Sequence, residues 1–582
     1  MAEQLFKNVT YKLKKLVEDI AVGEIGLPDI QRPFVWPATK VRDLFDSMYR
    51  GYPIGSLLFW ENPVDAGEAR AIGVEGKQKV PNLLIVDGQQ RLTAFFAVLK
   101  GVPVMDKNFQ PVRLRIAFRP LDGRFEVANA ALARSPEWIA DIGEVWREGT
   151  YRFIHRYLER MKETRELSAE EEEQIARAID RLAKIEEYTL TALELSAQVN
   201  ESEVAEIFVR VNSQGKRLNQ ADFLLTLMSV HWEEGRKALE TFSRMAKTPS
   251  ASGPSPYNPY WHPLPDKLLR VAVAVAFRRA RLEHVYSLLR GKNLQTGTFD
   301  PEARNRQFAL LEAAQKRVLD LTNWHEFFKA VRTAGYVGKH LILSELALAY
   351  NYALWLIGRY DYGLDHHTLR KAIARWFFMS ALTYRYTGSS ETRMEQDLAA
   401  LREARTGEDF LNVLQREIET VLTRDYWTVT LPGELATSGA RSLAQFAFFA
   451  SQVVLGANAL YSGLPVSELL DPHRKSKKQA LERHHLFPRA YLKKQGYDDR
   501  LVNQAANFAL VEWTDNIAIG DRPPRDYVPE LEARFEPETL ERMYDLHALW
   551  PGWYEMDYPA FLEERRRRMA GVIRRGFQAL GG

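Results

Sequence analysis

Near the end of the sequence two adjacent histidines stand in the run Glu482-Arg483-His484-His485-Leu486-Phe487-Pro488, with Asn507 and Asn516 following. These residue types in this order suit phosphodiester hydrolysis assisted by one metal ion. An imidazole can take a proton from water, the role assigned to His485. A second imidazole can hold a divalent ion, the role assigned to His484, and one ion can hold a phosphate and stabilise the leaving oxygen. Asn507 would orient the base and Asn516 would complete the metal site, with Glu482 a weaker ligand candidate. A lone His-His pair is more often structural. The order His-His-x-x-Pro, Ala-Asn-x-x-Leu, Thr-x-Asn is what raises the motif above that background.

A second constellation lies near the other end. Asp87-Gly88-Gln89-Gln90-Arg91 sits between an apolar run, Leu83 to Val86, and a stretch of helical spacing, Gln89 to Lys100. A strand-loop-helix junction aims backbone N–H groups at an anion. Gly88 would let the backbone approach it, and Arg91 could clamp phosphate oxygens. Asp87 could bind a metal ion or position water. Gln31 and Arg32, between Pro28 and Pro33, form a second polar pair. The plainer alternative is an Asp87–Arg91 ion pair at a helix end, with Gln31 and Arg32 on the surface.

The elements that must position these residues differ along the chain. Thr39 to Tyr49 places Val41, Leu44, Phe45 and Met48 on one helical face. Gly55 to Trp60 and Leu83 to Val86 read as buried strands, Val112 to Phe118 as a half-exposed strand, and Tyr188 to Leu195 as another strand. Ser168 and Glu171 form a capping box before a helix through Ile179. Glu203 to Val211 is helical. Thr248 to Pro265, rich in Pro, Ser and Gly, is a long loop or a boundary. Helical period then runs from Asp266 to about Thr428. Leu431 to Ser442 is a second break, and Ser442 to Leu460 an apolar helix. Around the histidines, His484 to Leu492 would supply one strand and a loop, Asn507 to Val511 a second strand, and Thr514 to Asn516 the cap of a closing helix.

Of 582 residues, 46% are hydrophobic and 27% charged, as in a soluble globular protein. No apolar run is long enough to span a bilayer, and the first residues lack the order of a signal peptide, so a cytoplasmic protein without membrane contact is expected. With no cysteine, disulfides and thiolate zinc sites are excluded. The net charge is only +3, so a nucleic-acid surface must be local. His473 to Lys478, Arg565 to Arg568 and Arg574-Arg575 are the basic stretches; beside the histidine motif, phosphate contact is the expected use.

The motifs Ile30 to Trp36 (IQRPFVW), Val86 to Phe96 (VDGQQRLTAFF) and Ile207 to Phe223 (IFVRVNSQGKRLNQADF) occur in the order seen in the N-terminal domain of the GmrSD family of type IV restriction enzymes, which this chain resembles. The resemblance implies a ParB/sulfiredoxin-like fold and nucleotide hydrolysis tied to the DGQQR segment, with Gln31, Arg32, Asp87, Gly88, Gln89, Gln90 and Arg91 as the nucleotide site. Arg210, Asn212, Gly215 and Asp222 belong to the third motif; Asn212 to Gly215 also reads as a simple turn. The histidine segment, with Asp521-Arg522-Pro523-Pro524-x-x-Tyr527 behind it, resembles the HNH (His-Me finger) nuclease domain at the C-terminus of the same family. Many relatives have an acidic residue where this chain has His484. Imidazole can ligate the same ion and tilts the choice among Mg, Mn and Ni toward the latter two.

The combined reading is a multidomain, mostly helical α+β chain. Residues 1–245 form a ParB/sulfiredoxin-like NTPase and sensor domain with a helical insertion. Residues 246–440 form a helical connecting region, and residues 441–582 an HNH-type, ββα-metal nuclease domain. The implied function is modification-dependent cleavage of double-stranded phage DNA, gated by a nucleoside triphosphate, with His485, Asn507 and Asp87 as catalytic candidates. A homo-oligomer is compatible with the sequence. The alternatives are a non-cleaving ParB-like DNA-binding regulator and a metal-dependent RNase toxin.

Overall fold

The computed structural model describes residues 5–26, 34, 36–61, 81–105, 111–199, 203–204, 207, 220–291, 300–439, 441–471, 481–512 and 519–581. Gln31, Arg32, Arg210, Asn212, Gly215, Asn516 and the basic stretch from His473 to Lys478 lie outside them. The chain divides into two compact units, residues 1–233 and 234–582.

The first unit is built on a five-stranded mixed sheet. Its strands are β1 (Phe6–Lys12), β2 (Ile25–Gly26), β3 (Leu57–Glu61), β4 (Leu83–Asp87) and β5 (Thr189–Leu195), in the spatial order β1-β5-β3-β4-β2. Period-2 alternation buries both faces. Leu57, Phe59, Ile85, Leu190 and Ala192 enter one core, together with helices α1 (Leu13–Ala21), α2 (Ala38–Tyr49) and α3 (Gln89–Lys100). Leu58, Trp60, Leu84 and Leu195 enter a second, smaller core with Val199 and Val204. The capping box at Ser168 is present in both halves. The strand expected over Val112 to Phe118 is instead two pieces, Pro111–Val112 and Ile116–Arg119, in separate hairpins. The apolar–basic alternation there misled because Ile116, Ala117 and Phe118 are all buried.

The second unit is mostly helical. The Pro-rich stretch is a packed loop within it: Trp261 stacks on Trp324 at 5.4 Å, and the buried Asn258 side chain accepts from the backbone of Tyr260 and Trp261. The apolar helix α4 (Leu443–Val454) stops before Leu460, because the chain turns at Gly456 with φ 68°. The second break starts later than expected, since Leu431–Glu434 is still helical. Two strands, β6 (Leu481–His485) and β7 (Phe508–Glu512), form an antiparallel hairpin, followed by α5 (Pro524–Glu532) and the terminal α6 (Tyr558–Ala579). Phe577 of α6 packs on Phe378 and Trp427, so the helical region and the hairpin region share this unit. Among the described residues no helix is long and apolar enough to cross a membrane.

Candidate functional site

The two histidines end strand β6, paired with Ala509 and Phe508 across the hairpin. Successive strand residues face opposite sides, and their neighbours differ accordingly. His484 is buried and meets the ring of Tyr527 edge-on at 6.2 Å. His485 lies against Phe508 at 4.4 Å.

The imidazole of His485 is oriented by Asn503, a residue the sequence reading did not single out. Nε2 of His485 is 3.0 Å from Oδ1 of Asn503. Nδ2 of Asn503 donates to the Asp499 carbonyl at 2.9 Å, which only an NH₂ group can do. The amide therefore presents its oxygen to the histidine, and that oxygen can only accept. Nε2 therefore carries a proton, and Nδ1 is the ring nitrogen left to exchange one. No spacing rule points to Asn503; a chain that returns through the helix Asp499–Val502 brings it there.

Asn507 acts one step back, on the chain that leaves His485. Its side chain is 0% exposed. Oδ1 accepts from Phe487 N–H at 2.9 Å, and Nδ2 donates to Phe487 O and Val502 O at 3.0 Å each. Its backbone carbonyl accepts from Leu486 N–H at 2.8 Å. Asn507 thus fixes the Leu486–Phe487 turn without a described bond to the imidazole. Tyr527, the last residue of the DRPPxxY segment, closes the turn from the other side, donating its hydroxyl to Leu486 O at 2.6 Å. Phe487 is locked between Trp553, Tyr558 and Phe561.

The arginine run of α6 divides by side. Arg565 is fully buried, so it is not a phosphate contact; it donates to the carbonyls of Ala506, Phe508 and His547. Burial lowers its pKa to about 9, still well above neutrality. Arg566 donates to Gln504, while Arg567 and Arg568 pair with Glu563 and Glu564 one turn back. Only the last two keep exposed charge, each already matched by a carboxylate.

At the other constellation, Asp87 ends β4 and Gly88 is the N-cap of α3 with φ 96° and no side-chain cap. A Cβ at Gly88 would fall inside van der Waals contact with Leu57 Cδ2, so glycine is required twice over. Arg91 faces the chain entering β3. Its Nη1 donates to Ile54 O at 2.7 Å, and its Nη2 to Ser56 O at 2.6 Å and, at the longer distance of 3.4 Å, to Asp87 Oδ2. The side chain is only 13% exposed, and burial lowers its pKa. Gln89 and Gln90 open the helix beside it. Asp87 and Arg91 meet across the junction, as an ion pair at a helix end would also have them, and the guanidinium is already spent on two carbonyls.

Residues 13–229 match the family model described as GmrSD restriction endonuclease, N-terminal domain. The likeness to that family is confined to those residues. It takes in Gln31, Arg32 and the Asp87–Arg91 junction and ends well before the hairpin. An uncharacterized protein of Methanocaldococcus jannaschii is 20% identical over 576 residues, spanning 90% of this chain and 87% of that protein. A span that long includes the hairpin.

For a divalent ion, His484 would be one donor within the described residues, and Asn516 lies outside them. Among the described residues no group of three His, Asp or Glu side chains is placed to hold a metal ion. An imidazole and an amide oxygen are compatible donors for Mn or Ni, with the other positions left to residues beyond those described, to substrate and to water.

Proposed function

We propose that this chain is a modification-dependent DNA endonuclease of anti-phage defence, in which the hairpin of β6 and β7 cuts and the Asp87–Arg91 junction binds and hydrolyses a nucleoside triphosphate. The restriction reading is supported by the GmrSD match over residues 13–229. The observation that carries the cutting role is the His485–Asn503 pair, which fixes the ring with a proton on Nε2 and makes Nδ1 the nitrogen that would take one.

In this reading Nδ1 of His485 takes the proton of the attacking water while Asn503 holds the ring. Asn507 and Tyr527 keep the Leu486–Phe487 turn in place, so the imidazole does not swing as it charges. His484 and Asn516 would hold the divalent ion, Mg, Mn or Ni, which when bound supplies charge stabilisation at the leaving oxygen. At the other junction, Gly88 makes the turn into α3, whose first N–H groups favour an anion. Asp87, Gln89, Gln90, Gln31 and Arg32 complete the nucleotide residues.

The test is cleavage of DNA from modifying phages against isogenic unmodified DNA and total RNA, with Mg or Mn and with EDTA. Metal-dependent, NTP-responsive cutting of modified DNA alone is expected, lost in a folded His485→Ala protein. Cutting of RNA alone would make it a ribonuclease; binding without cutting would leave a regulator.

A further inference from the structure

The first unit holds a cleft of about 620 Å³ whose lining does not include Asp87, Gly88 or Arg91. It lies between the end of α2, the hairpin turn at Leu121 and Asp122, and the helix Ala169–Ala183. Three arginines line it, Arg50, Arg177 and Arg181, against one carboxylate, Asp122, which is itself paired with Arg119.

The arginines are not all spent on the fold. Arg181 is: its Nε donates to Tyr49 O at 2.9 Å and its guanidinium lies 4.6 Å over the Tyr49 ring. Gln174 ties the same helix to Leu121 O at 2.7 Å. Among the described residues Arg50 and Arg177 pair with Asp46 and Glu173, four residues back along the chain. Neither holds the walls together, and exposed pairs of this kind exchange readily.

Tyr52 stands at the same cleft with 57% of its surface exposed. Its backbone is pinned on both sides, the N–H donating to Ser47 O and the carbonyl accepting from the Tyr188 hydroxyl, each at 2.8 Å. An exposed ring on a fixed backbone is a stacking platform that loses little entropy on binding. Guanidinium forks match phosphate oxygens.

We propose that this cleft binds a nucleoside phosphate, its phosphate held by Arg50 and Arg177 and its base stacked on Tyr52. A free nucleotide and an unpaired nucleotide of a strand share this chemistry. The site stands on the first unit alone and does not depend on the nuclease reading.

The experiment uses the full chain and two arms: calorimetry with nucleoside mono- and triphosphates, and fluorescence anisotropy with a labelled single-stranded oligonucleotide. Wild type is compared with Tyr52→Ser, Arg177→Gln and, as a control, Tyr151→Ser, an equally superficial tyrosine of the same unit (84% exposed). In at least one arm, Tyr52→Ser and Arg177→Gln should each weaken binding about tenfold, with Tyr151→Ser unchanged. Arg177→Gln should also flatten the salt dependence by about one charge. Equal thermal melts confirm the fold. No wild-type binding in either arm, or binding that both cleft variants leave untouched, overturns the proposal; the arm that responds identifies the source of the ligand.

Discussion

Arg565 grips the chain on both sides of Asn507: the same Nη1 donates to Ala506 O at 2.6 Å and to Phe508 O at 2.9 Å. Asn507 in turn holds both polar groups of Phe487. The turn after His485 therefore hangs from a two-tier clamp anchored in the last helix.

The clamp should behave as one unit. Asn507→Ala leaves Phe487 N–H, Phe487 O and Val502 O without their partner in a site closed to water, at about 1–3 kcal/mol for each buried group. Arg565→Met strips three more carbonyls. Each single variant should unfold several degrees below wild type, and the double variant should cost less than the sum, because both free the same turn. Chemical denaturation of the four proteins gives the cycle; strict additivity would show that the tiers are independent.

His485→Ala should cut at least about 10²-fold more slowly while keeping the wild-type melt. Asn503→Asp should retain cleavage but move the acid limb of its pH–rate profile to higher pH, since a carboxylate beside the imidazole favours its protonated form. An unchanged profile would mean that Asn503 does not face the base during turnover.

Gly88→Ala should destabilise the first unit by about 1–3 kcal/mol, because alanine at positive φ is strained and its methyl group meets Leu57. Triphosphate turnover should fall with it. Limited proteolysis separates the effects: a cut pattern unchanged from wild type with turnover lost would place Gly88 at the ligand rather than only in the turn.

His547 is buried and neutral, its pKa lowered to about 4 by loss of water, with Nε2 donating to Asn458 O and Nδ1 accepting from Gln452. The unfolded chain takes up a proton near pH 6.5 and the folded one only near 4. Stability should therefore fall as pH drops through that window, by about 3 kcal/mol for a shift of this size. Gln at this position can serve both neighbours, so His547→Gln should flatten the acid side of a denaturation-versus-pH curve. A curve unchanged in His547→Gln would assign the acid sensitivity to carboxylates.

Elements with strong period or punctuation were legible in the sequence: the helices after Thr39 and Gln89, the strands at Leu83 and Thr189, the Ser168 capping box. Residues that act through tertiary closure were not. Asn503 reaches His485 only because a short helix turns the chain back, and nothing in its neighbourhood marks that. Arg565 looked like part of a cationic stripe, since four consecutive arginines carry no sign of which one a helix turns inward. Val112 to Phe118 failed for the converse reason: local alternation cannot reveal that both faces of Ile116 to Phe118 are covered. The DRPPxxY segment was visible as a pattern, yet only the Tyr527–Leu486 bond gives it a physical task.

The guanidinium of Arg91 holds Ile54 O and Ser56 O beside the place where a phosphate would arrive. An anion that draws on the same donors competes with those carbonyls. Occupancy at the start of α3 and the path of the chain entering β3 then form a single equilibrium, and each must bias the other by the same factor. Loss of turnover in Arg91→Ala would consequently have two origins, a missing phosphate donor and a loosened strand entrance. Hydrogen exchange at residues 54–58, with and without triphosphate, is the measurement that tells them apart.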